Sequence, residues 1–177
     1  DISRGFPKRL VDENLITAND MLSAVKSAKT ANVTLIHFIC ENHLIDDQKL
    51  AHAAAKQFGM VVYDVQQHLI KNELKDLIDR KTMRKHVVVP LFTRGKKLFI
   101  ATADPFDVQC LREIQFQSKM SVEAVICAYS SILVIREALL SNQADSIAES
   151  LSINSTDYEP TEKVIEKQIF KDLEKIK

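Results

Sequence analysis

Glycine is scarce in this chain. Its 177 residues include three glycines, Gly5, Gly59 and Gly95, and no two are close. A phosphate-cradling loop or a dinucleotide fingerprint needs clustered glycines, so that backbone amides can close on an anion. Nucleotide hydrolysis of the P-loop kind is therefore excluded, and no catalytic residues are expected. Cysteine is also sparse: Cys40, Cys110 and Cys127 are far apart and form no C-x-x-C. An odd, scattered set fits a reducing compartment and buried free thiols. Charge of either sign is not in excess, with 24 basic and 24 acidic side chains. A large nucleic-acid footprint would need a basic surplus. No two of the five histidines stand four apart, so helical spacing offers no metal site. No apolar run approaches the ~20 residues of a membrane span, and no signal peptide is seen. The sequence begins at Asp1 rather than Met and ends in charged residues, and is expected to be a piece of something longer.

What is present is 46% hydrophobic and 27% charged residues, the composition of a soluble globular protein with a sizeable core. The first third carries a repeat. Asn14–Val25 and His43–Ala54 align at an offset of 29, with Leu15 on Leu44, Ile16 on Ile45, Met21 on Leu50 and Ala24 on Ala53. Upstream, Phe6, Leu10 and Val11 fall on Leu35, Ile39 and Cys40. Each copy reads as a short helix, a Leu-Ile pair and a second helix. Thr17 or Asp46 is placed to cap that second helix, where its oxygen takes an orphan backbone N–H. The apolar positions form one stripe at helical spacing. Most simply that stripe is core. Its sharper reading is a partner-binding surface made of Phe6, Leu10, Leu15, Ile16, Leu44 and Ile45.

Gly59 suits the left-handed end of the second copy. The pattern then changes. Val61–Val65 reads as a strand and Glu73–Lys85 as a surface helix. Val87–Phe92 and Lys97–Ala103 form a hairpin around Thr93–Lys96. Asp104–Asp107 is a turn and cap before a helix bearing Val108, Leu111, Ile114 and Phe116. Val122–Ala128 is a strand, and Ser130 or Ser131 caps a last helix. The expected class is α+β: a helical subdomain over 1–59, then a compact β-α-β-β-α-β-α domain over 60–141. A polar linker with a marginal amphipathic helix from Glu162 fills 142–177. The 61–140 unit is expected to fold independently.

Asp104 and Asp107 follow a strand end, where α/β proteins often bind ligands. As a paired-carboxylate site they would be functional; as a turn with a helix cap they are structural, and the turn is the simpler reading. Arg94, Lys96 and Lys97 make a basic hairpin tip. Arg80, Lys81, Arg84, Lys85 and His86 make a second basic cluster, suited to an acidic partner or to the negative end of a helix dipole.

Pro90-Leu-Phe92, Lys97–Pro105 and Leu111–Phe116 together resemble the N-terminal domain of type II secretion and type IV pilus assembly ATPases. Ala55–Met60 fits that family's joint between helical and α/β parts. The resemblance implies a cytoplasmic, non-catalytic regulatory or docking region at the inner membrane. Its ATP and magnesium would belong to a hexameric motor absent from this sequence. It implies as partner a PilZ-type regulatory protein or an inner-membrane pilus platform component. The repeat also resembles the MshEN domain, a cyclic di-GMP receptor, with copies at 5–28 and 34–57 and the required spacer at 29–33. Its ligand-grade positions differ. Gly5 and Thr34 replace arginine, while Pro7 and Ile36, then Asn14 and His43, replace glycines. The scaffold is expected without the dinucleotide-binding chemistry. Arg4 or Arg9 would compensate in the first copy alone.

Overall fold

A computed structural model describes residues 2–65 and 72–141. The expected linker and amphipathic helix of 142–177 lie outside the described residues.

The repeat folds as two matching helix pairs. Helices α1 (Gly5–Asp12) and α2 (Ala18–Ala31) form one pair, and α3 (Leu35–Glu41) and α4 (Asp47–Phe58) the other. Both caps are made as their residue types predict: Thr17 accepts from the Asp20 N–H and Asp46 from the Lys49 N–H. The breaks inside the pairs also match. Asn14 and His43 hold φ of 55° and 50°. The next amides, Leu15 and Leu44, donate to Leu10 and Ile39 at 3.0 and 3.1 Å. Gly59, at φ 65°, ends α4 in the left-handed conformation.

The chain then crosses to a sheet of order β1-β2-β3, comprising Val89–Arg94, Lys97–Thr102 and Ser121–Ile126. Strands β1 and β2 form an antiparallel hairpin turning at Gly95, where φ is 59°. Strand β3 lies parallel to β2 after the crossover helix α6 (Val108–Ser118). Side chains alternate across the sheet. Leu98, Ile100 and Ala124 share a cluster with Met83, Cys110 and Ile114. Phe99, Ala101 and Val125 share another with Leu10, Ile39, Ala53 and Ile132. Helix α7 (Tyr129–Leu140) adds Leu139 to the second cluster. The larger core therefore runs without a break from the repeat into the sheet.

Three expectations are corrected. Val61–Val65 is not a full strand. Val62 bridges Ile126, the last residue of β3, and the Tyr63 N–H donates to the Ile126 carbonyl at 2.8 Å, so the pairing is a single bridge at the end of that strand. The helix expected over Glu73–Lys85 is broken into a 3-10 segment (Asn72–Leu77) and α5 (Arg80–His86). Asp79 between them is extended, and its N–H donates to Gln117 at 3.0 Å. Nor is the segment superficial, because Leu74, Ile78, Thr82 and Met83 are buried. Finally, no serine side chain caps α7. Its N-cap is Ala128, and Asp47 of α4 accepts the Ser130 N–H at 3.0 Å from across the fold.

Candidate functional site

The six residues of the expected partner surface are dispersed by burial. Phe6, Leu10, Ile16 and Ile45 are core residues, Leu15 is half-buried, and Leu44 is 38% exposed. The repeat turns its stripe inward because each helix pair buries one face against the other pair and the sheet. Four of the six are therefore core, and only Leu15 and Leu44 offer surface.

A cleft of about 350 Å³ opens between the repeat and the α/β unit. One wall is Asn32 and Val33 of the spacer, with Thr34 and His37 of the second copy. Asn32 ends α2 at φ 55°, and Thr34 caps α3 by accepting from the His37 N–H at 3.3 Å. The opposite wall is the end of α5, Lys85 and His86, with Phe106 and Asp107 of the β2–α6 loop and Val108 and Gln109 of α6. Val87 follows His86 with φ 51° although it is β-branched and buried. Such a conformation is strained and persists only because the packed strand that follows imposes it.

The β2–α6 loop is built on short polar contacts. Asp104 accepts from the Phe106 N–H at 3.0 Å, and the Thr34 side chain lies close enough to pull its carboxyl down. Burial raises the Asp104 carboxyl above the usual carboxylate range, against the lowering pull of both groups. Asp107 caps α6 by accepting from the Cys110 N–H at 3.0 Å. The two aspartates therefore act as turn and cap. Phe106 stands 58% exposed at the rim, its ring 4.4 Å from that of Phe58, which in turn meets Phe6. Val108 beside it is also exposed.

His86 links the basic cluster to α6. Its Nδ1 lies 2.8 Å from Asp107 and its Nε2 3.1 Å from Glu113. Burial alone would lower the imidazole, but both carboxylates outweigh it and raise it above its ordinary value. Asp107 is correspondingly lowered: burial opposes this, and the His86 hydrogen bond prevails. Glu113 is lowered chiefly by Lys85, which reaches it at 2.7 Å. Within the basic cluster, Arg80 donates to the Leu140 carbonyl, and Arg136 donates to the carbonyl of Arg84. At the hairpin tip Lys97 pairs with Glu123 at 2.7 Å. All three cysteines are buried free thiols, and burial pushes Cys40 up to about 12, so none is a ready nucleophile. One further grouping draws on residues far apart in sequence. Donor atoms of His86, Asp107 and Cys110 lie within 4.8 Å of one another.

A duplicated helical layer packs on a small mixed sheet, and the sequence holds no glycine-rich phosphate loop. The model of the MshEN domain family matches residues 58–146, half of the sequence, and the chain belongs to that family. The matched range covers the α/β unit; the repeat of 5–57 lies before it. Among relatives, the type IV pilus assembly ATPase PilB of Pseudomonas aeruginosa is 28% identical over 86% of this chain and 28% of its own length. PilB of Acinetobacter baylyi is 31% identical over 72% of this chain and 22% of its own. The chain thus spans about a quarter of the length of the curated relatives it matches. Among solved structures, the N-terminal domain of XpsE superposes with a TM-score of 0.61 at 16% identity, covering 76% of this chain and 96% of that one. A structure described as MshE with cdg gives 0.57 at 18%, covering 77% and 99%. At these identities the likeness is one of fold.

Proposed function

We propose that this chain is a non-catalytic regulatory and docking region of a type IV pilus assembly ATPase. It would be cytoplasmic and peripheral to the inner membrane, as part of a longer protein whose motor assembles as a hexamer. Among the described residues no helix is long and apolar enough to cross a membrane. The observation that carries the docking role is Phe106, an exposed ring held in place by Phe58 at the mouth of the cleft. Pre-positioned aromatics of this kind dominate binding energy at protein interfaces. The partner is a PilZ-type regulator or the cytoplasmic part of a platform protein. Calorimetry with each purified candidate tests this. Binding is expected to weaken about tenfold or more in Phe106→Ala, in line with hot-spot truncation. Absence of binding to both, or an unchanged affinity in the variant, would overturn it.

Cyclic di-GMP is not the ligand in this reading. Arg9, the arginine placed to compensate in the first copy, already donates to Gln57 at 2.7 Å and pairs with Glu13. Asn14 and His43 put side chains where glycine would let a backbone approach a nucleotide. A dissociation constant no tighter than about 100 μM is expected, a free energy near −5.5 kcal/mol. A low-micromolar value in the same calorimeter would assign the domain to nucleotide sensing.

A further inference from the structure

We propose that His86, Asp107 and Cys110 form a binding site for one divalent transition-metal ion of the zinc type, between the end of α5 and the start of α6. An imidazole nitrogen, a carboxylate oxygen and a thiolate are the donors that zinc takes in tetrahedral sites. The three reach within 4.8 Å of one another, close enough for small side-chain rotations to meet a common ion. His86 and Asp107 are held from behind. Glu113 at 3.1 Å accepts the Nε2 proton of His86, which leaves Nδ1 as the donor aimed at Asp107. A carboxylate on the far nitrogen is the usual way a ligating histidine is oriented. Lys85 fixes Glu113 in turn at 2.7 Å. Asp107 spends Oδ1 on the Cys110 N–H and has Oδ2 turned toward the imidazole. The cleft borders His86 and Asp107 and supplies an entry path.

The charges balance with and without the ion. With His86 protonated, the ion-free cluster of His86, Lys85, Asp107, Glu113 and the neutral Cys110 thiol carries no net charge. Uptake of a dication displaces the Nδ1 proton of His86 and the thiol proton of Cys110 to solvent. Lys85, Asp107 and Glu113 keep their charges, so the net charge of the cluster is unchanged. No buried charge is left uncompensated in either state. The spacing rule for helical ligands misses the site because its members lie on two elements and meet only through the packing of α5 on α6.

Cobalt(II) titrated into the 177-residue chain is the test. Tetrahedral binding to a thiolate produces intense visible bands and a near-ultraviolet sulfur-to-cobalt charge-transfer band, both reversed by zinc(II). Cys110→Ser is expected to abolish the charge-transfer band, whereas Cys40→Ser and Cys127→Ser keep it. Asp107→Asn keeps a residue able to cap α6 and should weaken binding without unfolding the chain, which serves if Cys110→Ser folds poorly. Glu113→Gln, acting through the imidazole, should weaken binding by about 10–100-fold. A weak octahedral spectrum without a charge-transfer band, a band that survives in Cys110→Ser, or unchanged affinity in Asp107→Asn would overturn the proposal.

Discussion

Single residues carry much of the difference between this chain and an ideal version of its own repeat. His43 and Asn14 occupy equivalent left-handed turns at φ 50° and 55°. Asparagine tolerates that conformation better than histidine does. His43→Gly should therefore stabilise the chain by roughly 0.5–1 kcal/mol, the relief of left-handed strain less glycine's entropy. Asn14→Gly should be close to neutral, and urea denaturation of both variants checks the difference. Asp104 gives a pH-dependent counterpart. Its carboxyl is raised in the folded protein, mainly by burial. A raised group favours folding below its unfolded value, near 3.9, and that advantage is lost as pH rises through the folded value. Asp104→Asn keeps an acceptor for the Phe106 N–H and removes the buried charge. The variant should melt above the parent at pH 7, with the gap closing below about pH 4. Equal melting temperatures at pH 7 would contradict this.

At the level of elements, what was legible in sequence was local chemistry. Thr17, Asp46 and Asp107 cap the helices they were expected to cap, because a cap depends on residues three positions apart. Thr17→Ala and Asp46→Ala should each cost about 1 kcal/mol, and by similar amounts, since the two copies use the same geometry. Thermal melts of the single variants measure it. Features that depend on distant partners were not legible. The N-terminus of α7 is served by Asp47, which lies 83 positions earlier. The break at Asp79 answers to Gln117, and the His86 network draws its carboxylates from α6. The stripe of Phe6, Leu10, Ile16 and Ile45 has the periodicity of either a surface or a core, and burial alone separates them. Phe116 shows the converse: it was grouped with the apolar face of α6 and is 84% exposed.

For the molecule as a whole, the shared core sets the cooperativity. Val125, Ile126, Tyr129 and Ile132 of the α/β unit pack in the same cluster as Leu10, Ile39, Ala53 and Ala54 of the repeat. Residues 2–141 should unfold in one calorimetric transition, and residues 60–141 alone should melt broadly, with that face uncovered. Two separated transitions would show the halves to be independent. Pure material should also hydrolyse no ATP, since three dispersed glycines build no phosphate loop; turnover that persists through further purification would contradict it. The two copies of the repeat do not have equal freedom in this arrangement. On α4, Ala51, Ala53, Ala54 and Ala55 are all buried, whereas Leu22, the counterpart of Ala51 on α2, is 44% exposed. A close-packed position accepts no added methyl groups without displacing its neighbours, while an exposed one accepts almost any side chain. Under selection position 51 is therefore held to a small residue, while position 22 is free to drift. Divergence between duplicated halves that began alike would accumulate on α2, and new specificity would arise there first.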